Sequence, residues 1–258
     1  MTSAQRRQQI MNHIRQHGAG KVDEFVSRFN VSAVTIRHDL NVLEKEGCVF
    51  RCYGGATLNP NFAFDQPLHR KDQLNRSLKQ SLALAASKLV KDGEAIMLDS
   101  GSTIALMPQF LADKQKLTVM TNALNTAYQL SSYENVDLHV VGGELRRASC
   151  SLTGHHGEHQ IRSYLFDKLF LGVDGFDLEA GVTTPDSNEA QINRTMCDVS
   201  RQVIAVTDSS KFGRKSFCTI RAAAQIDVLV TDQHIPTDLH QALLELGVTV
   251  IIADQTVN

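Results

Sequence analysis

The chain has 258 residues, 42% hydrophobic and 21% charged, enough for two domains with packed cores. No run of eighteen apolar residues occurs and the first thirty residues are polar and charged, so the sequence predicts neither a membrane-spanning helix nor a secretion signal, and points to a cytoplasmic protein. The net charge of −2 hides an asymmetry: residues 1–58 carry eight Lys/Arg against five Asp/Glu, a net of +3, while the remainder carries eighteen against 23, a net of −5, which suits nucleic-acid contact by the small basic part alone.

In chain order, residues 3–17 read as a helix with Ile10 and Ile14 one turn apart, stopped by Gly18 and Gly20. Residues 22–29 form a second, with Val22, Phe25, Val26 and Phe29 at i, i+3, i+4, i+7. After the turn Asn30-Val31-Ser32, Ser32 is suited to cap a third helix, Ala33 to Glu46, that buries Ile36, Leu40 and Leu43 and stops at Gly47. Two short helices, a tight turn and a third helix make a helix-turn-helix, whose third helix would present Ala33, Thr35, Arg37, His38 and Asn41 to the major groove. Arg37 suits bidentate contact to guanine or a phosphate clamp, Thr35 can bond phosphate or base, and Asn41 can reach adenine or backbone. For a lone helix, a solvated polar face would be the better reading. Cys48–Tyr53 and Gly54–Leu58 then read as two strands around a glycine turn, a wing that would lay Arg51 and Tyr53 along the phosphate backbone, or a plain hairpin.

These residues carry a resemblance. Val31-Ser-Ala-Val-Thr-Ile-Arg-His-Asp-Leu40, Leu43-Glu-x-x-Gly47 and Arg51-x-Tyr-Gly-Gly-Ala56 resemble the signature of the DeoR family of bacterial sugar-operon regulators, with His38 where many members have a second arginine. Residues 59–75, with two prolines and little periodicity, read as a linker between a 1–58 winged helix-turn-helix domain and a 76–258 effector domain, and Arg70, Lys71, Arg76 and Lys79 read as solvated charges. An amphipathic helix at 76–91 turns Leu82, Ala85, Ala86 and Leu89 inward.

From residue 94 apolar runs recur at 95–98, 117–120, 138–141, 169–173, 203–206, 228–230 and 248–252, most of them separated by helical stretches such as 103–112, 123–131, 187–201 and 237–246. Alternating strands and helices with continuous apolar strands predict an α/β domain with a mostly parallel sheet covered on both faces. Ligands bind beyond the carboxyl ends of such strands, and those ends are polar here. Asp99-Ser-Gly-Ser-Thr103 runs toward a helix, where free N–H groups can hold a phosphate, unless Ser102 or Thr103 merely caps it. Gly142 and Gly143 would let a ligand approach the backbone, and Arg146 or Arg147 could pair with a phosphate.

The motifs Asp99–Thr103, Thr121-Asn122, Gly142-Gly143, Gly172–Gly175, Asn188-Glu189-Ala190 and Asp208–Phe212 extend the resemblance over nearly the whole chain. It implies a fold similar to ribose-5-phosphate isomerase, a phosphate loop at Ser100, Gly101, Ser102 and Thr103, and sugar-lining groups at Asp99, Asn122, Asp174, Glu189 and Lys211. It further implies a homo-dimer or tetramer on double-stranded operator DNA, released by a phosphorylated sugar or sugar alcohol, with no cofactor and no membrane partner. Within the family, Leu169–Asp177 and Asp208–Ser216 look nearest to the repressors of glucitol and amino-galactose operons. The competing reading is a sugar-phosphate isomerase or deaminase with an appended DNA-binding domain, using Asp174, Glu189 and Lys211 as acid/base groups. Against it, residues 176–184 hold no lysine where the related isomerases carry a catalytic one, so the chain reads as no enzyme.

Five cysteines, Cys48, Cys52, Cys150, Cys197 and Cys218, form no Cys-x-x-Cys pair and read as reduced thiols. His155, His156 and His159 read as a solvated helix face, so no metal site is predicted.

Overall fold

The computed structural model describes residues 1–45, 47–59 and 65–254, which divide into two compact units bounded at Phe62/Ala63. Glu46, given above as the end of the third helix, and residues 60–64 of the linker lie outside the described residues.

The smaller unit runs α1 (Ser3–His17), β1 (Ala19–Lys21), α2 (Val22–Phe29), α3 (Ala33–Lys45), β2 (Val49–Cys52) and β3 (Gly55–Leu58). Ile10, Ile14, Phe25, Ile36, Leu40 and Val49 close its core. Ser32 caps α3 as predicted, its Oγ accepting from the Thr35 N–H at 3.1 Å. No sequence signal announces β1, which pairs antiparallel with β3, while β3 pairs with β2 on its other side. Two small residues and a lysine read as the tail of a helix stop. What admits the strand is the missing side chain at Gly55, where a Cβ would lie 2.3 Å from the Gly20 carbonyl oxygen.

The buried charge of this unit ties α1 to α3. Asp39, wholly buried, accepts from Arg6 Nε at 2.5 Å, and Arg7 lies 3.6 Å away. Removing one partner of a buried pair strands the other, so Asp39→Ala should cost this unit about 3–5 kcal/mol. Hydrogen exchange in α1 and α3 of the full chain should rise accordingly, and unchanged exchange would contradict this account of the pair.

The larger unit runs α4 (Leu68–Gln73), α5 (Arg76–Ser87), β4 (Ala95–Leu98), β5 (Leu117–Thr121), α6 (Leu124–Leu130), β6 (Val136–Val140), β7 (Glu144–Arg146), β8 (Ser151–Thr153), α7 (His155–Ile161), β9 (Phe166–Gly172), β10 (Gly175–Asp177), β11 (Gly181–Thr184), α8 (Ser187–Asp198), β12 (Ser200–Val206), β13 (Cys218–Arg221), β14 (Val228–Thr231), α9 (Thr237–Glu245) and β15 (Thr249–Ile252). All seven apolar runs are strands of one parallel sheet, ordered β15-β14-β12-β9-β4-β5-β6. The period of two within each run explains how both faces are covered. Leu169 and Leu171 pack with Ile192, Met196, Leu239 and Leu243 on one side. Phe170, between them, packs with Leu82, Ala86, Ile104 and Met107 on the other.

Two features depart from the sequence reading. The helix expected at 103–112 is a pair of single 3₁₀ turns, Ile104–Leu106 and Pro108–Phe110. Pro108 has no N–H to give the Ile104 carbonyl, so an α-helical ladder cannot run through it. Short antiparallel pairings also decorate the sheet: β7 with β8, and β11 between β10 and β13. In the first of them Gly143 is required by the close approach of β8, since a Cβ there would meet the Thr153 carbonyl oxygen at 2.3 Å.

Candidate nucleic-acid interface and effector cavity

In the smaller unit, Ser32, Arg37, His38 and Asn41 are exposed on and just before α3, while Ala33 and Thr35 are half-buried. Thr35 Oγ1 lies 2.9 Å from Ser32 Oγ, so this hydroxyl already serves the cap. Arg51 does not stand free on the wing. Its guanidinium donates to the Asn41 side chain, to the Arg37 carbonyl at 3.3 Å and to the Gly55 carbonyl at 3.2 Å. Arg51 and Asn41 thus fix the wing against α3, which leaves Arg37, His38 and the fully exposed Tyr53 as the groups most open to a partner. The sequence reading left out Val34, an apolar side chain 72% exposed on the same helix.

In the larger unit, strand order locates the second site. Successive strands run outward from β4 through β5 to β6, and from β9 through β12 and β14 to β15, so β4 and β9 flank the point where the winding reverses. Loops leaving adjacent strands at such a point diverge and open a crevice at their carboxyl ends. A cavity of roughly 290 Å³ lies there. Asp99, Ser100, Gly101, Ser102 and Thr103 after β4 line it, with Asp174 after β9, Asp208, Ser210 and Lys211 after β12, and Glu189 of α8.

The cavity lining carries two chemistries side by side. One is hydroxyls and cations, the latter Lys71, Lys79, Lys211 and Arg214. Burial pushes the Lys79 ammonium down to about 8, against the pull of Asp208, with Lys211 and Lys71 pushing it further down and Asp72 opposing them. Burial likewise lowers Lys211, although Asp174 and Asp208 pull the other way. The other is acidic. Burial, then the neighbouring Glu189 charge, raises Asp99 well above the usual carboxylate range. Burial raises Glu189 too, against the Arg146 guanidinium. Asp99 Oδ2 accepts from the Gly172 N–H at 3.1 Å, and Thr184 Oγ1 lies 3.4 Å from Asp174 and 3.3 Å from Glu189.

Not every residue given in the sequence reading lines this space. Asn122 is wholly buried and donates to the Leu152 carbonyl at 3.3 Å; Gly142 gives its N–H to Gln160 at 2.8 Å. Neither these nor Gly143 borders the cavity. Arg146 is engaged by three carboxylates, Asp65 at 2.5 Å and Asp186 and Glu189 at 3.3 Å, which leaves no open face for a phosphate. The phosphate loop lacks the α-helix expected behind it, so its capacity for an anion rests on side-chain hydroxyls and nearby lysines rather than a helix dipole. The lysines were the residues missed: Lys79 is 5% exposed and Lys71 is paired with Asp174, whereas Arg70 and Arg76 are exposed as expected. The signal for Lys79 was available, since it sits three residues before Leu82 on the inward face of α5.

Elsewhere, His155, His156 and His159 are exposed on α7, and burial pushes the Cys197 thiol up to about 11, too high for a nucleophile. No helix among the described residues is long and apolar enough to cross a membrane.

Comparison with known proteins bears on both sites. A family model described as the DeoR-like helix-turn-helix domain matches residues 6–62, and one described as the DeoR C terminal sensor domain matches residues 74–233. A transcriptional repressor named for the aga operon of Escherichia coli O157:H7 is 40% identical over 98% of this chain and 95% of its own length. The glycerol-3-phosphate regulon repressor of Escherichia coli K12 is 29% identical over 95% of this chain and 97% of its own. Among solved structures, a ribose 5-phosphate isomerase from Methanocaldococcus jannaschii aligns with 54% of this chain and 55% of that one, at 20% identity and a TM-score of 0.40.

Proposed function

The chain belongs to the DeoR family of helix-turn-helix transcription regulators, and from that premise we propose that it represses a carbohydrate operon in the cytoplasm and leaves its operator when a phosphorylated sugar or sugar alcohol fills the cavity at the β4/β9 crossover. It is a regulator rather than an enzyme: the relatives are named as transcription regulators and align with 98% and 95% of the chain. The operator is read by Arg37 and His38 on α3, with Tyr53 on the wing, and a homo-dimer or tetramer presents two such units to a repeated or palindromic site.

The observation that carries the effector reading is the pairing of opposite chemistries in one enclosed space. Lys79, Lys211 and the Ser100, Ser102 and Thr103 hydroxyls offer charge-assisted bonds to a phosphate, while Asp99, Asp174 and Glu189 offer acceptors to sugar hydroxyls. A thermal-shift screen of the full chain against pentose, hexose and hexitol phosphates tests it, because a compound that binds only the folded state raises the melting temperature by mass action. A phosphorylated compound should stabilise where its unphosphorylated parent does not. Equal stabilisation by both would contradict the role given to the lysines.

The lowered Lys79 supplies a pH test of the same role. Below about pH 8 Lys79 is charged and ready for an anion; above it, binding requires uptake of a proton. Affinity for the stabilising compound should hold between about pH 7 and 8 and then fall by about tenfold per pH unit. Calorimetry in buffers of different ionisation enthalpy should show that proton uptake, and flat affinity up to about pH 10 would remove Lys79 from the site.

A further inference from the structure

The stretch that joins the two units is built into the cavity wall. Residues 65–75 fall on the far side of the boundary from the helix-turn-helix, and the sequence reads them as a linker, yet three contacts dock them on the larger unit. Asp65 pairs with Arg146 at 2.5 Å, the Leu68 N–H donates to the Ala148 carbonyl at 2.7 Å with Leu68 buried, and Lys71 Nζ reaches Asp174 Oδ1 at 2.5 Å. Lys71 and Asp174 both line the cavity. Burial works against the Lys71 charge, but the Asp174 carboxylate, joined by Glu189 and Asp65, outweighs it and holds the ammonium above its ordinary range. The second docking pair is joined to the same space, because Arg146 also reaches Glu189.

We propose that Lys71 is the residue through which occupancy of the cavity acts on the chain leading to the DNA-binding unit: an anionic ligand takes the Lys71 ammonium from Asp174, and the 65–75 segment that carries it shifts from its docked position. This inference rests on the effector reading above and names the step by which that site is coupled. The exchange conserves hydrogen bonds, and the Lys211 charge, which already acts on Asp174, remains near it. Lys71 trades a carboxylate for a phosphate, and Asp174, which Thr184 already approaches at 3.4 Å, is left to accept from a sugar hydroxyl. A phosphate carries more charge than one carboxylate at comparable distance, so it competes on favourable terms for an ammonium held in a poorly solvated place. A ligand shifts an equilibrium only through differential contact with the two states, and Lys71 supplies that difference, being held by the protein in one and by the ligand in the other.

The test uses the full chain, a labelled promoter fragment and the pentose, hexose or hexitol phosphate that most raises the wild-type melting temperature. Two quantities are read for wild type, Lys71→Met and Lys71→Arg: the affinity for that compound, and the ratio of promoter Kd with and without a saturating amount of it. Wild type should show a ratio of about 5–150. Lys71→Met should still bind the compound, more weakly, yet its ratio should fall below about 2 at saturation, and Lys71→Arg should recover most of the wild-type ratio by keeping the charge. In wild type alone the compound should speed hydrogen exchange in residues 65–75. A saturated Lys71→Met that releases the promoter by the wild-type ratio overturns the inference and leaves the effector reading intact. A Lys71→Met that folds but binds no compound makes Lys71 a ligand contact without a coupling role and also overturns it. A wild type that binds no phosphorylated compound removes the effector reading and this inference together.

Discussion

Replacing Arg37 by alanine is expected to weaken promoter binding by about 5–150-fold, the 1–3 kcal/mol that a bidentate contact to a base contributes. Arg37 is exposed on α3, and its neighbours Arg51 and Asn41 are occupied with each other, so neither stands ready to replace it. The loss should be specific. If Arg37 reads guanine, discrimination at one position of each half-site should relax, whereas loss of a phosphate clamp should weaken all sequences alike and reduce the salt slope by about one ion. Binding of the phosphorylated compound belongs to the other unit and should be unchanged. Electrophoretic or anisotropy titrations on the promoter, paired with thermal shifts by the compound, check both halves. Undiminished promoter binding by folded Arg37→Ala would remove α3 as the reading element.

The complementary result is expected from Lys211→Met. This lysine follows β12 at the cavity rim, where burial already lowers its hold on a proton, and an anion beside it would restore that hold. Hydrogen bonds involving a charged group contribute about 1.5–3 kcal/mol, so affinity for the phosphorylated compound should fall by about 10–150-fold. In a cell the variant should behave as an uninducible repressor. Calorimetric titration measures the loss directly, and full retention of affinity would relocate the anion away from the β12 end of the cavity.

How much of this was legible depends on how strongly each element is over-determined. The seven parallel strands were readable because burial on both faces demands unbroken apolar runs, such as Leu169-Phe-Leu171, which turn residues alternately to the two cores. The helix-turn-helix was readable because Ser32 must cap α3 while Ile36, Leu40 and Leu43 must share one face of it. Elements held by partners distant in sequence were not. β1 exists only because β3 borders it, and α4 only because Leu68, Lys71 and Asp65 find partners dozens of residues away. Residues 104–110 misled because the apolar spacing of Ile104, Met107 and Leu111 suits a helix, while Pro108 interrupts its ladder.

The cavity followed the same division. The lining at Asp99 to Thr103, Asp174, Asp208, Ser210 and Lys211 lies at strand ends, where topology puts ligands and where a sequence can be searched. Two of its four cations came from outside that pattern, Lys79 from a helix and Lys71 from a supposed linker. Arg146 and Asn122 also follow strands of the sheet but spend their polar groups within the protein, a distinction that only contacts reveal.

The most direct test of the central claim is one anisotropy titration: the full chain against its promoter fragment, without and then with a saturating amount of the phosphorylated sugar or alditol that most raises its melting temperature. The account predicts promoter binding that weakens steeply with salt, and a Kd raised by about 5–150-fold once the compound is bound. A compound that stabilises the protein while leaving the promoter Kd unchanged would contradict it.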